Sequence, residues 1–263
     1  CTSNGNSNST STYSGLKIHY MDVGQGDSEL IQVNEKNLLI DAGPNESRDK
    51  LISYLGKQNI KKLDYVIATH PDEDHIGGMG NVIKKYSIDK FYAPKKIVNT
   101  KTFEYMIQQL KNKNMKIDTP TPGVQLDLGK NTTAEIIAPN SKSYPDTNNY
   151  SVVLKLTYGN TKFLFTGDAE KTSEMEMIDK NYDLSADVLK VGHHGSSSST
   201  SQQFLDKVNP KIAVISCGKN NKYGHPHKKT INKLKNKNIQ IYRTDVSGII
   251  ILTSNGTKIS KQN

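Results

Sequence analysis

The sequence predicts an α/β fold built from mixed β-sheets. Short apolar runs of strand length alternate with segments whose apolar residues recur at helical spacing. The predicted strands outnumber the predicted helices, and some strands follow each other through a tight turn, as at Gly159-Asn160. Strands joined by a tight turn are antiparallel, whereas parallel neighbours need a longer connection such as a helix. We therefore expect both kinds of pairing in the same fold.

Each element follows from its local pattern, in chain order. Apolar or alternating runs predict strands at 16–21, 29–33, 37–40, 63–69, 133–137, 152–158, 162–165, 186–191, 212–216, 239–242 and 248–252. Helical spacing predicts helices at 48–57, 76–85, 102–113, 169–178, 200–207 and 228–235. No internal repeat or linker interrupts these elements, so we expect one domain over residues 16–263.

Composition argues against a membrane-spanning chain and a disulfide-rich scaffold, and it leaves a polyanion-binding protein possible. The 35 basic and 26 acidic side chains of this 263-residue chain give a formal net charge of +9. This excess either reflects a polyanionic partner or a general richness in lysine, since only Arg48 and Arg243 are arginines. No apolar run approaches the roughly 18 residues of a membrane-spanning helix. The two cysteines cannot form a disulfide scaffold.

The first fifteen residues differ in composition from the rest. Residues 2–12 contain no charged and no apolar side chain, so we expect residues 1–15 to form a disordered Ser/Asn/Thr tether. A cysteine followed by such a tether is similar to the start of a mature bacterial lipoprotein. On this interpretation the protein is extracytoplasmic and contacts the bacterial cell membrane only through a lipid on Cys1. The alternatives are an artificial chain start and a disulfide to Cys217, although Cys217 ends an apolar strand and is expected to be buried.

A cluster of metal-ligand side chains follows the predicted strand at 63–69. His70, Asp72, Asp74 and His75 fall within six residues, where one loop can turn them toward a common point. Carboxylates placed so close together disfavour each other's ionisation, and a bound divalent cation removes that conflict. The spacing therefore predicts a metal site in preference to a solvated acidic loop.

Three more segments place polar side chains at the ends of apolar strands. Asp41, Asp168 and the pair His193-His194 each closely follow a predicted strand. Ligands presented at strand ends on one edge of a sheet can converge on a single site. We therefore expect these side chains to join the His70–His75 block.

These residues, in this order, resemble the metallo-β-lactamase superfamily of metal-dependent hydrolases. The match is closer to its ComEC-like branch, the hydrolase domains of DNA-uptake competence proteins. Its motifs are MDVGQGD at 21–27, HPDEDHIGG at 70–78, FTGD at 165–168, LKVGHHGS at 189–196, YGHP at 223–226 and RTD at 243–245. The resemblance implies a four-layer αββα sandwich with metal ions in the cleft between two sheets. Because this sequence holds no channel segment, we expect a stand-alone form of the domain.

The resemblance also implies a role for each matching residue. The metal ligands would be His70 and Asp72 for a first ion, Asp74 and His75 for a second, Asp168 as the bridge, and His193 as the late ligand shortly before a glycine. Asp41 would orient a histidine or the metal-binding loop. Asp72 and Asp74 are also expected to take part in catalysis.

The sequence departs from the superfamily pattern at two points. Asp72 stands where a histidine is usual, and no histidine lies between His75 and His193. Asn149, in the Asn-rich segment at 146–151, is therefore a candidate to complete the site weakly or to contact substrate. Oxygen ligands favour Mn²⁺ more than an all-histidine zinc site would. We expect one or two divalent ions, Mn²⁺ or Zn²⁺.

The implied chemistry is hydrolysis by a metal-activated water. Phosphodiesters suit such a site because cations neutralise their oxygens. Asp72 or the bridging Asp168 would orient the water. His194 and His225 are candidates for protonating the leaving oxygen, with metal ligation as the alternative for His194 and a turn role for His225. Ser196 begins a hydroxyl-rich loop that either contacts phosphate or caps a helix.

Three functions fit this sequence. The first is a surface-tethered phosphodiesterase or nuclease acting on DNA, as the resemblance implies. The second is a phosphodiesterase acting on a wall polymer or a small ester, similar to phosphocholine esterases, although the absence of Trp argues against an aromatic choline cage. The third is a catalytically idle module that binds polyanions. No protein partner is indicated.

Overall fold

A computed structural model describes residues 14–262, and its strands form two mixed sheets. The strands are β1 (Leu16–Tyr20), β2 (Glu29–Val33), β3 (Lys36–Ile40), β4 (Lys62–Ile67), β5 (Ser87–Tyr92), β6 (Ile117–Asp118), β7 (Gln125–Leu126), β8 (Thr132–Ala138), β9 (Val153–Tyr158), β10 (Thr161–Phe165), β11 (Val188–Lys190), β12 (Ile212–Ile215), β13 (Gln240–Arg243), β14 (Ile250–Ser254) and β15 (Ile259–Gln262). The helices are α1 (Arg48–Lys57), α2 (Glu73–Ile76), α3 (Met79–Lys85), α4 (Lys101–Asn112), α5 (Lys171–Asp179), α6 (Gln202–Val208), α7 (Lys228–Asn236) and α8 (Thr244–Ser247).

The strand order brings several C-terminal strand ends to one side of the molecule. The first sheet runs β15-β14-β1-β2-β3-β4-β5-β6 and the second β13-β12-β11-β10-β9-β8-β7. Strands β3 to β6 are parallel, as are β10 to β13, and the other neighbours are antiparallel. Parallel strands end at the same sheet edge, so the loops after β3 and β4 lie side by side, as do those after β10, β11 and β12.

Apolar side chains from the two sheets meet in a central core. Tyr20 of β1 stacks on Phe165 of β10 across this core, with ring centroids 6.0 Å apart. Helices α1, α3 and α4 cover the outer face of the first sheet, where Leu55 is buried. Helices α5, α6 and α7 cover the second sheet, where Phe204 is buried. The layers follow the order αββα, which confirms the predicted fold.

Some predicted elements need correction. The helix predicted over 76–85 is divided into α2 and α3, because Gly77 and Gly78 pack against the backbone of the neighbouring loop. The helix predicted over 200–207 begins only at Gln202, after the Ser201 hydroxyl accepts a hydrogen bond from the Phe204 amide and caps it. The short strands β6 and β7, together with β5 and β15, had no matching prediction.

The N-terminal predictions lie almost wholly outside the described residues. Of the predicted tether at 1–15, only Ser14 and Gly15 are described, and Cys1 is not. Within 14–262, no helix combines the length and apolar character needed to cross a bilayer. Cys217 is buried, as expected, and its burial raises the pKa of the thiol to about 12.

Candidate metal centre

Buried polar side chains collect where the strand ends of both sheets meet. Asp41 follows β3, His70 follows β4, Asp168 follows β10 and His194 follows β11, and all four are buried. Asp168 and His194 line an open cleft of about 780 Å³. Buried ionisable groups are costly unless they are paired or coordinate a cation, so this concentration indicates a binding site.

The first group, called cluster A, consists of Asp74, His75, Asp168 and His194. Each residue offers one ligand atom, and these atoms lie within 4.8 Å of one another. His75 Nε2 is 3.0 Å from Asp168 Oδ1 and 3.5 Å from Asp74 Oδ2. His194 Nε2 is 2.8 Å from Asp74 Oδ2 and 3.5 Å from Asp168 Oδ1. Two imidazole nitrogens and two carboxylate oxygens form a donor set that suits a divalent transition metal.

The second group, called cluster B, consists of His70, Asp72 and Asp168. His70 Nε2 lies 3.3 Å from Asp72 Oδ2 and 3.4 Å from Asp168 Oδ2. Asp168 therefore directs one carboxylate oxygen to each cluster. The Thr147 hydroxyl donates to Asp72 Oδ1 at 2.6 Å and fixes that side chain.

Hydrogen bonds to the far side of each cluster A imidazole determine which nitrogen keeps its proton when the ring is neutral. His75 Nδ1 donates to Asp41 Oδ2 at 2.7 Å, and His194 Nδ1 donates to the Ser216 carbonyl at 3.0 Å. With the proton on Nδ1, the neutral ring presents a lone pair on Nε2. Both Nε2 atoms face the carboxylates of cluster A. This is the orientation that metal-binding histidines commonly adopt.

The same inference applies to His70 through a short relay. The Thr69 hydroxyl donates to Asp41 Oδ2 at 2.7 Å, so its oxygen is left to accept from His70 Nδ1 at 3.0 Å. His70 Nε2 then carries a lone pair as well. Asp41 thus organises both His70 and His75 without facing the cleft itself.

The atoms that face the two clusters fit bound cations. Among the described residues, His70 Nε2, His75 Nε2 and Asp168 Oδ1 are buried and have no hydrogen-bond partner. Such atoms are rare in folded proteins unless an ion or a water satisfies them. Together with the lone pairs on Nε2, they show that the residues present fit divalent metal ions.

The electrostatics of the centre also favour a cation. Burial lowers the pKa of His75 and of His194, but the surrounding carboxylates, Asp168 foremost, together raise both well above the usual value. Burial and the nearby His75 lower the pKa of His70, but Asp168 and Asp72 raise it to about 9. Burial would raise the pKa of Asp168, yet these histidines hold it well below normal. The centre attracts positive charge, and protons and metal ions compete for it.

The backbone turns sharply after β11 to place the two adjacent histidines. His193 has φ 52° and His194 has φ 57°, a left-handed conformation that costs side-chain-bearing residues about 1–3 kcal/mol each. The His193 amide donates to the Gly167 carbonyl at 3.0 Å, which ties this turn to the loop carrying Asp168. Backbone strain of this kind is concentrated at functional sites.

The structure separates the roles of this histidine pair. His194, for which metal ligation was the alternative to proton donation, lies in cluster A. His193, the expected late ligand, lies in neither cluster; its Nε2 is 3.9 Å from Asp168 Oδ2, beside cluster B. Its Nδ1 faces Glu170 Oε2 at 3.5 Å and Ser198 Oγ at 3.3 Å. The left-handed turn makes the second histidine, not the first, the inward one.

Asn149 and Ser196 contact other parts of the protein instead. Asn149 Oδ1 accepts hydrogen bonds from the Glu170 and Ser173 amides, at 3.0 and 3.2 Å, at the start of α5. The Ser196 hydroxyl contacts Ser198 Oγ at 2.9 Å within its own loop. Neither residue is among those that line the cleft. These contacts stabilise loops around the centre.

His225 lines the cleft, and its ring centroid lies 6.0 Å from that of His194. Gln25 Oε1 accepts from the Gly218 amide at 2.9 Å, so its amide nitrogen donates to His225 Nδ1 at 3.0 Å. Burial and the charges of His194 and His193 lower the pKa of His225 to about 4. A neutral ring that accepts on Nδ1 carries its proton on Nε2, so His225 is a hydrogen-bond donor.

One buried ion pair near the centre was not predicted from the sequence. Lys190 Nζ lies 2.7 Å from Asp27 Oδ2, and both side chains are almost fully buried. Asp27 Oδ1 lies 3.3 Å from His194 Nδ1, so the pair packs directly behind cluster A. A lysine within the apolar strand β11 and an aspartate ending the motif at 21–27 were the available signals.

Comparison with known proteins agrees with this geometry. The sequence profile of the metallo-beta-lactamase superfamily matches residues 21–219. The crystal structure of the metallo-beta-lactamase fold protein YhfI from Bacillus subtilis superposes with a TM-score of 0.60. That alignment has 15% identity and covers 91% of this chain and 100% of YhfI. This likeness concerns the fold alone.

Several curated relatives are more similar in sequence. ComE operon protein 3 of Bacillus subtilis is 34% identical over 89% of this chain and 32% of its own length. Competence protein ComA of Neisseria gonorrhoeae is 29% identical over 87% of this chain and 31% of its own length. Exodeoxyribonuclease WalJ of Streptococcus pneumoniae is 37% identical over 35% of this chain and 32% of its own length. The identity over most of this chain supports the ComEC-like resemblance. The chain spans about a third of the length of these competence relatives.

Proposed function

The chain belongs to the metallo-beta-lactamase superfamily, and from this premise we propose that it is a metal-dependent phosphodiesterase acting on DNA. One observation carries the proposal: two clusters of His and Asp ligands share Asp168 at the floor of an open cleft. Paired metal ions a few ångströms apart are suited to in-line displacement at phosphorus.

Some residues would hold the metal ions, and others orient the side chains that hold them. Cluster B would hold one divalent ion and cluster A a second, with Asp168 contributing an oxygen to each. When bound, divalent ions activate water for attack and neutralise the phosphodiester oxygens. Asp41 keeps the Nε2 lone pairs of His70 and His75 aimed at the centre, and Thr147 holds Asp72. We expect His225, which lines the cleft, to donate a hydrogen bond from Nε2 to an oxygen of the substrate.

The surroundings of the cleft support a polyanionic substrate. Lys219 and Lys222 line one of its walls, and the chain has a formal net charge of +9. Basic side chains beside a cleft attract phosphate backbones. One relative of part of this chain is named an exodeoxyribonuclease and another a competence protein. DNA is therefore the substrate that we propose to test first.

The test is cleavage of end-labelled single- and double-stranded DNA by the full chain, with Mn²⁺, Zn²⁺ or EDTA. We expect cleavage with Mn²⁺, which suits the oxygen-rich clusters, and none with EDTA. Asp168→Asn should lower the rate by at least about 100-fold, because it removes the negative charge that both clusters share and leaves one ligand oxygen where there were two. Asp206→Asn is the matched control, since Asp206 is an exposed carboxylate on α6 that pairs with Lys237.

Two outcomes would contradict the proposal. Cleavage that persists in EDTA or in Asp168→Asn would show that the activity does not come from this centre. Metal-dependent hydrolysis of a teichoic-acid phosphodiester without any cleavage of DNA would transfer the function to wall polymers.

A further inference from the structure

An exposed tyrosine stands on the loop between β12 and α7, at one wall of the cleft. Tyr223 is 55% exposed and lines the cleft together with Lys219, Lys222 and His225. The hydrolysis proposed above makes no use of the Tyr223 ring. An exposed aromatic side chain beside an active-site cleft is a candidate for substrate contact.

Three rings form a ladder from Tyr223 down to the metal centre. Tyr223 stacks on His225, with centroids 5.4 Å apart and planes 17° apart. His225 in turn lies 6.0 Å from His194 at an angle of 28°, and His194 belongs to cluster A. A flat ring placed on the face of Tyr223 opposite His225 would therefore extend a stack that ends at the candidate ligands.

The loop that carries this ladder is held by its own hydrogen bonds. Asn221 Nδ2 donates to the Gly218 and His225 carbonyls at 2.9 and 2.7 Å. Asn221 Oδ1 accepts from the Tyr223 and His225 amides at 3.2 and 2.9 Å. A platform fixed before binding avoids most of the entropy cost of ordering a loop on the ligand.

Two lysines lie close to Tyr223 in the sequence and line the same cleft. Lys219 and Lys222 lie on the wall of the ladder, and Lys222 Nζ is 5.3 Å from the Tyr223 ring centroid. Glu46 and Glu73 lie among the other lining residues. Aromatic faces next to ammonium groups are the arrangement by which proteins bind single-stranded nucleic acid. A phosphate backbone would follow the lysines and place a base over Tyr223.

We propose that Tyr223 forms a stacking subsite for an unpaired nucleobase next to the phosphodiester bound at the metal centre. Lys219 and Lys222 contact the flanking phosphates. The subsite rests on the proposed nuclease function and adds a substrate class to it, namely single-stranded DNA or unpaired ends. A paired base inside a duplex is stacked on both sides and cannot offer its face to Tyr223.

The test measures binding separately from cleavage. The full chain is titrated, in EDTA, into a fluorescein-labelled oligothymidylate and into an abasic strand of equal length, and anisotropy is recorded. The charged clusters affect the binding of both strands alike. The ratio of the two affinities therefore measures the contribution of the bases alone. We expect the oligothymidylate to bind about 5- to 100-fold more tightly. Tyr223→Leu should reduce this ratio to about twofold or less, whereas Tyr223→Phe should keep it.

Tyr105→Leu is the matched control, because Tyr105 is an exposed tyrosine on α4 and is not among the residues that line the cleft. Its ratio should equal that of the wild type, and thermal unfolding should show that all variants fold. Equal affinity for both strands, or a ratio that survives in Tyr223→Leu, would overturn the subsite. A base-dependent ratio without any cleavage of DNA would support the subsite and contradict the nuclease function. Cleavage of DNA together with equal affinities for the two strands would support the nuclease function and contradict the subsite.

Discussion

At the scale of single residues, Lys190 is the least expected feature of the centre. Its ammonium is 2.7 Å from Asp27 Oδ2 and 3.1 Å from the Val191 carbonyl, inside the protein. Burial and the nearby Asp27 carboxylate raise the pKa of the neighbouring Glu29 well above its usual range. Lys190 and Asp27 are in direct contact and balance each other's charge. Because Asp27 also faces His194, the pair fixes the back of cluster A.

Lys190→Met should destabilise the protein by about 3–5 kcal/mol, because it leaves the buried Asp27 carboxylate without its cation. The measurement is the free energy of unfolding in urea. In the double variant Lys190→Met/Asp27→Leu, part of this loss should return, since no charge is then left unpaired. Lys62→Met, which breaks a half-exposed pair with Asp89, should cost less than about 1 kcal/mol. Equal losses for Lys190 and Lys62 would contradict a buried ion pair.

At the scale of elements, helix α2 depends on close contact with the loop before α1. A Cβ added to Gly77 would lie 2.0 Å from the Asn45 nitrogen and 2.3 Å from the Pro44 carbonyl carbon. No side chain fits there unless the backbone moves. Because α2 contains Asp74 and His75, a shift of this helix would displace two residues of cluster A.

Gly77→Ala should therefore lower the free energy of unfolding by about 1–3 kcal/mol and weaken metal binding. Gly56→Ala in α1 is the matched control, since nothing lies within 4 Å of the added Cβ. There the same change should stabilise the protein by about 0.5–1 kcal/mol, because alanine favours the helix. Urea unfolding and a metal titration of both variants check the prediction. Unchanged metal affinity in Gly77→Ala would show that the α2 contact does not position the ligands.

What the sequence could predict at this scale depends on how local each signal is. The His70–His75 spacing lies within one loop, so cluster ligands from that loop could be predicted directly. Two consecutive residues in the left-handed conformation decide whether His193 or His194 turns inward. The spacing of residues in the sequence does not reveal this conformation. The Lys190–Asp27 contact joins residues 163 positions apart and exists only once the two sheets pack.

At the scale of the whole molecule, the candidate centre joins the two sheets. Asp72, Asp74 and His75 belong to the loop and helix after β4 in the first sheet. Asp168 and His194 follow β10 and β11 in the second sheet. Cations held by these residues would bind both halves of the sandwich at once. A ligand that binds only the folded chain stabilises it according to its concentration and affinity.

Metal should therefore raise the thermal unfolding midpoint of the full chain relative to EDTA. At about one hundred times the dissociation constant the gain is about 2.7 kcal/mol, which for a chain of this size corresponds to roughly 5–10 °C. Scanning calorimetry with Mn²⁺ or EDTA measures this shift. Asp168→Asn should abolish most of it, because it removes the carboxylate that serves both clusters, whereas Asp206→Asn should keep it. If Asp168→Asn keeps the full shift, the stabilising ion binds elsewhere and these clusters do not join the sheets through metal.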